Sequence, residues 1–240
     1  MEEFPVLHRR FVANYFAGKV RELRFQLAIV VAGCDHSLAS FTSGVEVSRE
    51  NDRSVLYGFS AFTNVIQTLK DAVKTVTNEQ LDWSKIELLR HGSFMRNVRN
   101  AATHDGNPVI SGWADGRYFV PAKIIRIDGF GKTVEIPAPT EDVRAICLDF
   151  AKDFCHLLRE TLVAAESVEH LKGSIFSIEE VGDAFANSAI IPPFAQALFA
   201  QDREKIEAAL KEIKHDPIAD AVKELGEVIQ YCDSVTGGCS

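Results

Sequence analysis

The chain has 240 residues, of which 46% are hydrophobic and 25% are charged. These proportions are typical of a globular protein and exclude an extended disordered chain, a collagen-like repeat and a small disulfide-dense scaffold. The net charge of −8 disfavours broad electrostatic capture of nucleic acid or anionic lipid. This charge is uneven: residues 174–240 hold 12 acidic and 5 basic residues, net −7, which leaves 22 acidic and 21 basic residues, net −1, for residues 1–173.

Neither the first residues nor the apolar segments indicate export or a membrane. The opening Met-Glu-Glu-Phe-Pro contains no basic segment, and no apolar run approaches the roughly 18–20 residues that a membrane helix needs. We therefore expect a cytoplasmic protein. The five cysteines are odd in number and show no Cys-x-x-Cys spacing, so neither a disulfide framework nor a zinc site is expected. Cys147 and Cys155 are expected to be buried thiols and Cys239 an exposed one.

The first 105 residues predict three helices. Apolar residues recur at alternating spacings of three and four over residues 10–32 and, more regularly, over residues 54–77, which indicates two amphipathic helices. A third helix is expected to start at the N-cap residue Asp82 and to run without interruption to about His104, because Asp105-Gly106-Asn107-Pro108 follows.

The pattern then changes to a period of two. Residues 117–137 alternate around Asp128-Gly129-Phe130-Gly131, which predicts one β-hairpin with Ile125 and Ile127 on its apolar face. Helical periodicity returns over residues 141–171. The sequence thus predicts an all-α antiparallel bundle of four to five helices with a β-hairpin insertion.

The last quarter of the chain predicts a small helical extension. Ser177 and Glu180 form a capping-box pattern, Pro192-Pro193 marks a break, and Pro217 suits the first turn of a final helix. We therefore divide the chain into a helical domain, residues 1–173, and an acidic C-terminal subdomain, residues 174–240.

A polar constellation lies near the end of the third predicted helix. With about 100° of rotation per residue, Arg96, Asn100 and His104 form one ridge, whereas Arg99 lies about 140° around the helix from His104. The neighbourhood also predicts a locally basic surface. Residues 85–104 hold four cations, Lys85, Arg90, Arg96 and Arg99, against Glu87, and Arg117, Lys123 and Arg126 follow on the predicted hairpin. Such a surface suits one phosphate group better than a long duplex.

The segment Arg99-Asn100-Ala101-Ala102-Thr103-His104 resembles the Arg-Asn-x-x-x-His motif of the HEPN superfamily (higher eukaryotes and prokaryotes nucleotide-binding). The resemblance spans roughly residues 10–170, and it implies a helical bundle that forms a homodimer through the motif-bearing helix. It also implies a metal-independent RNA endonuclease of the kind found among toxins and antiphage effectors, with RNA or a nucleotide as its ligand and an antitoxin or regulatory protein as a partner.

The resemblance assigns roles to individual residues. His104 is expected to transfer protons, Arg99 to stabilise the phosphate charge and Asn100 to have a polar positioning role. Arg96 and Thr103 are candidates for phosphate binding on the same helix, and Asn64 is expected either to point from the second helix toward the motif or to lie on the surface. No metal and no cofactor are expected, because the histidines show no metal-ligand spacing.

Three features leave the function open. Some HEPN proteins carry a nucleotide-accepting Tyr two positions after the motif His, where this chain has Gly106. The alternative to an enzyme is a HEPN module that binds a nucleotide or RNA, or only dimerises, without catalysis. In addition, the acidic residues 174–240 are expected either to dock on the basic motif face and restrain it or to have no such role.

Overall fold

The computed structural model describes residues 5–78, 81–106 and 109–236. Its elements in chain order are α1 (Val6–Thr42), α2 (Arg49–Thr77), α3 (Trp83–Ile86), α4 (Gly92–His104), β1 (Gly112–Ala114), β2 (Arg117–Phe119), β3 (Ile124–Ile127), β4 (Thr133–Ile136), α5 (Val143–Ala164), a 3₁₀ helix (Glu166–Leu171), α6 (Ile178–Asn187), α7 (Pro193–Glu212) and α8 (Pro217–Thr236). The chain is mostly helical, which confirms the all-α class predicted from the sequence.

The two longest helices, α1 and α2, form an antiparallel pair. Near the turn between them, Asn51 Nδ2 donates to the carbonyl oxygen of Gly33 (3.0 Å), and at the far end the buried Arg9 donates from Nε and Nη2 to the carbonyl oxygen of Val76 (3.0 and 2.7 Å). Phe16, Leu27, Phe62 and Ile66 are examples of the apolar side chains buried between them. This pair is the frame on which α4, α5 and α8 pack.

Helix α1 is longer than the periodicity predicts. The prediction ends at residue 32, but the helix continues to Thr42. In its last ten residues the buried positions are Gly33, Cys34, Ser37 and Ser40, which are small and mostly polar. Because the apolar stripe gives way to small residues, hydrophobic spacing alone does not detect this part of the helix.

The predicted uninterrupted third helix is wrong. The chain forms α3, then a turn in which His91 adopts a left-handed backbone (φ 61°), and then α4. Asp82 is the N-cap residue of α3, but its side chain makes no capping hydrogen bond. The break requires Gly92, because a Cβ at this position would lie 1.9 Å from the carbonyl oxygen of Ile86. Helix α4 does end at His104, as predicted.

Two hairpins replace the single one predicted over residues 117–137. Strand β2 pairs with β1 across the Asp115-Gly116 turn, and β3 pairs with β4 across the predicted Asp128 turn. Asp128 Oδ1 accepts hydrogen bonds from the backbone N–H groups of Phe130 and Lys132, both 2.9 Å. The 3₁₀ helix also replaces the last turns predicted for the fourth long helix, which ends at Ala164.

The acidic C-terminal quarter has two structural parts. Helices α6 and α7 pack on each other, and the predicted capping box of Ser177 and Glu180 is present. Helix α8, which starts at Pro217 as predicted, packs on α1 and α5 and buries Leu225 and Val228 in the main core. Residues 217–236 thus belong to the same core as the helical bundle, whereas α6 and α7 contact mainly each other.

Cys147 and Cys155 are buried thiols, as predicted, and burial raises the pKa of both. Cys239 lies outside the described residues. Within residues 5–78, 81–106 and 109–236, every helix is too short or too polar to cross a bilayer.

Candidate functional site

Helix α4 presents its polar residues because its opposite face is buried. Phe94, Met95, Val98 and Ala101 pack toward the core, mainly against α2. The candidate residues lie on the remaining surface of α4: Arg96, Thr103 and His104 are exposed, and Arg99 and Asn100 are half-buried.

The guanidinium of Arg99 is held from one side only. Its Nη1 donates to Oδ1 of the adjacent Asn100 (3.0 Å). Its Nε is shielded from solvent and has no hydrogen-bond partner among the described residues. A buried donor without a partner costs about 1–3 kcal/mol, so this atom is an unused donor at the motif.

Thr103 connects the motif helix to α2. Its hydroxyl donates to Oδ1 of Asn64 on α2 (3.0 Å). Asn64 thus points toward α4 while remaining exposed. This bond occupies the Thr103 proton and one acceptor position of the Asn64 amide oxygen.

The surface around the motif is not the basic patch that the sequence predicts. Most of its cations have an acidic neighbour, which makes the surface a set of neutral pairs: Arg90 with Glu141 and Asp149, Arg96 with Glu87, Arg117 with Asp142, Lys123 with Glu135 and Arg126 with Asp105. Lys85 and Arg99 are in no ion pair among the described residues. The residual positive charge beside the motif is therefore local.

The C-terminal end of α4 is fixed by the β3–β4 hairpin. Arg126 on β3 donates from Nε to Oδ2 of Asp105 (2.6 Å), the residue after His104. The Arg126 side chain is only 9% exposed. Its hydrogen bond holds the pKa of the Asp105 carboxyl below its ordinary value and raises that of Arg126. His104 itself is exposed, at the helix end that this pair immobilises.

The bond between Arg126 and Asp105 reverses the predicted face of β3. The inward positions are Ile124 and Arg126, which stand opposite Ile136 and Val134 of β4, whereas Ile125 and Ile127 are more than half exposed (59% and 57%). A strand that exposes two isoleucines and turns an arginine inward departs from the usual hydrophobic pattern. The pairing of Arg126 with Asp105 accounts for the departure.

Asp105 and Arg126 were not predicted as site residues. Asp105 resembles a helix stop, and Arg126 resembles a surface cation 21 residues further along the chain. Only the spacing of Arg126 with Ile124, on the same side of the strand, hints that it points inward.

The acidic tail does not dock on the motif in this structure. The charged residues of α8 pair elsewhere: Glu224 with Arg21 (2.8 Å), Glu227 with Arg24 (2.7 Å) and Asp233 with Lys152. No ion pair among the described residues joins the tail to Arg96, Arg99 or His104. The described residues 174–236 thus form their ion pairs away from the motif, and restraint of the motif by the tail stays a prediction that deletion of residues 174–240 would test.

The described residues contain no cluster of three or more His, Cys, Asp or Glu side chains arranged to hold a metal ion. No protein-family model, curated protein or solved structure matches the chain. The geometry of α4 and its surroundings therefore carries the functional argument.

Proposed function

We propose that the chain is a HEPN-type endoribonuclease that works as a homodimer without a metal, in the manner of a toxin or antiphage effector, with Arg99 and His104 as its reacting groups. The observation that carries this proposal is the guanidinium of Arg99, which is in no ion pair among the described residues. Its Nη1 is oriented by Asn100, and the motif ends with an exposed His104. A phosphate oxygen is the acceptor that a half-occupied guanidinium fits best.

A single chain offers only part of such a site. Arg99 and His104 are five residues apart, which corresponds to about 7.5 Å along the helix axis and about 140° around it. A second copy of α4 that faces the first would bring another Arg99 and another His104 to the same phosphate. The exposed side chains of Ile125, Ile127 and Phe130 beside the motif provide apolar area that such an interface would cover.

In this proposal the ribose 2′-hydroxyl attacks the adjacent phosphorus. One imidazole takes the hydroxyl proton while the 2′-oxygen bonds to phosphorus, and the imidazolium of the second copy protonates the departing 5′-oxygen. The guanidinium of Arg99 stabilises the charge on the non-bridging oxygens. The products are a 2′,3′-cyclic phosphate and a 5′-hydroxyl, so atoms and protons balance without a further reactant.

Arg96 and Thr103 have supporting roles in this proposal. The charge of Arg96 is neutralised by Glu87, and it would reach a phosphate only by exchanging that partner. Thr103 is engaged with Asn64, which makes the pair a positioning contact between α2 and α4.

The alternative is a non-catalytic module that binds a nucleotide or an RNA end. The neutralised surroundings favour it, because one free guanidinium is enough for one phosphate, whereas cleavage of a long RNA needs contacts to several. An antitoxin or regulatory protein as a further partner belongs to both proposals.

The test is cleavage of a mixed RNA pool in EDTA. We expect His104→Ala to lower the cleavage rate about 10²- to 10⁴-fold, with His36→Ala, an exposed histidine of α1, as the matched control. Equal cleavage by His104→Ala and the wild type would contradict the proposed enzyme. Thermal stabilisation by nucleotides without any cleavage would favour the binding module instead.

A further inference from the structure

A large cleft of the described chain lies away from the motif. It has a volume of about 710 Å³ and is formed by the end of α1, the loop after it, the start of α2 and the β1–β2 hairpin. None of the candidate residues of α4 lines it. Its size falls within the range of small-molecule sites, about 300–1,000 Å³.

The walls of this cleft are aromatic and fixed. The rings of Phe41 and Trp113 meet edge to face, with centroids 5.8 Å apart. The indole nitrogen of Trp113 donates to Ser37 Oγ (3.0 Å). Gly116 in the hairpin turn packs so closely on α1 that a Cβ there would lie 2.8 Å from Phe41. The cleft is therefore built before any ligand arrives.

The base of the cleft carries a positioned carboxylate. The Tyr118 hydroxyl donates to Asp52 Oδ1 (2.6 Å) and accepts from Asn51 Nδ2 (3.1 Å). Burial and the bond to Asp52 raise the pKa of Tyr118 to about 12, so the phenol stays neutral and keeps the proton that it donates to Asp52. A carboxylate has about four acceptor positions, and the bond from Tyr118 uses one.

The charges in the lining have one sign. Asp52 and Glu46 line the cleft, and no Lys, Arg or His does so among its described lining residues. Meanwhile Trp113, Phe41 and Val45 remain 47%, 43% and 61% exposed. An anionic ligand would be repelled, and a neutral apolar ligand would desolvate Asp52 without replacing its water.

We propose that this cleft binds a small aromatic ammonium compound, with the ring packed against the Phe41–Trp113 pair and the ammonium group on Asp52. The aromatic walls attract both the ring and the adjacent cation. This site is independent of the proposed RNA cleavage at α4, because the two proposals rest on different residues and are tested by different experiments.

The probe is phenethylammonium, compared with 2-phenylethanol and 3-phenylpropionate, which keep the ring but change the charge. Binding is followed by the fluorescence of Trp113 in a Trp83→Phe background, which leaves one tryptophan, since Trp83 is the other one in the chain. We expect saturable binding of the ammonium compound at concentrations up to about 10 mM, weaker binding of the alcohol and no binding of the carboxylate.

The decisive variant is Asp52→Asn, because an amide oxygen still accepts from Tyr118 while the negative charge is lost. We expect it to weaken phenethylammonium binding about 3- to 10-fold and to leave the alcohol unaffected. Asp82→Asn, an exposed carboxylate outside the cleft, is the control. Melting temperatures of both variants report folding.

Three binding results would overturn the assignment. They are no saturable binding, equal binding of all three probes, or the same affinity in Asp52→Asn and Asp82→Asn. A dimer in sedimentation that Trp113→Ala dissociates would also overturn it, because the cleft would then be covered by a second copy of the chain.

Discussion

The motif surface of α4 and the cleft beside Trp113 differ in how complete they are within one chain. The motif surface has one oriented guanidinium, Arg99, and an exposed His104, on different sides of the helix. The cleft has fixed walls and a carboxylate held by Tyr118. In the proposed function the motif surface needs a second copy of the chain to become a site, whereas the cleft is already formed within one chain.

The two surfaces also differ in charge. Acidic neighbours neutralise most cations around α4. Arg99 differs from them because it is in no ion pair among the described residues. In the cleft Asp52 and Glu46 face apolar walls without a cation. Local charge, and not the net charge of −8, thus determines which ligand each surface suits.

The largest effect that would separate these surfaces is expected from Arg99→Met. Methionine keeps the aliphatic stem of the side chain and removes the guanidinium with its unpaired Nε, so the melting temperature should not fall. RNA cleavage should drop about 10²- to 10³-fold. Arg96→Met is the matched control, since Glu87 already neutralises that charge. A loss of folding in Arg99→Met with unchanged activity per folded molecule would assign Arg99 a structural role.

Gly92→Ala tests whether packing sets the start of the motif helix. The new Cβ would meet the carbonyl oxygen of Ile86, so we expect a loss of about 3 kcal/mol in the free energy of unfolding. Gly129→Ala provides the comparison, because no atom lies within 4 Å of its added Cβ. Urea denaturation measures both, and an equal, small effect would show that the turn before α4 is adaptable.

Arg126→Ala should affect the motif surface and leave the cleft unchanged. Without its bond to Asp105 the end of α4 is less well fixed, and RNA cleavage should fall about 10-fold. The affinity of the cleft for phenethylammonium should not change. Lys123→Ala removes an exposed ion pair next to the same strand and should leave RNA cleavage and cleft affinity unchanged. A similar loss of cleavage in Arg126→Ala and Lys123→Ala would show that local charge, and not the bond to Asp105, is responsible.

The smallest effect concerns His91, at the turn before α4. Burial holds the pKa of His91 below its ordinary value, against the opposing attraction of Asp149 and Glu141. Below that ordinary value the unfolded chain binds a proton that the folded chain does not, so stability is lost as the pH falls.

His91→Asn, which tolerates the left-handed backbone, should reduce this loss. Melting temperatures between about pH 7.5 and about pH 5.5 measure it. His36→Asn, on the surface of α1, should retain the wild-type dependence. An unchanged slope in His91→Asn would assign the pH dependence to other groups.

Local signals in the sequence predict the parts of the fold that local interactions form. The regular spacing of apolar residues locates α2, and Asp105 with Gly106 marks the end of α4. The capping box of Ser177 and the position of Pro217 are equally local. Each depends on side chains a few residues apart.

Features formed by distant residues are not visible in that way. The break before α4 depends on contact between Gly92 and Ile86, and the inward turn of Arg126 depends on Asp105. The cleft requires Asp52 and Tyr118, which are 66 residues apart. The sequence pattern identifies the motif residues, whereas most of the ion pairs that neutralise their surroundings join residues far apart in the chain.

The chemistry of the RNA ends tests the central claim most directly. Purified protein is incubated in EDTA with a defined RNA that carries a 5′ label, alongside His104→Ala, and the product ends are determined by mass spectrometry. The account predicts 2′,3′-cyclic phosphate and 5′-hydroxyl ends from the wild type and loss of these products in His104→Ala. Products with 3′-hydroxyl ends, or the same cyclic phosphate yield from both proteins, would contradict it.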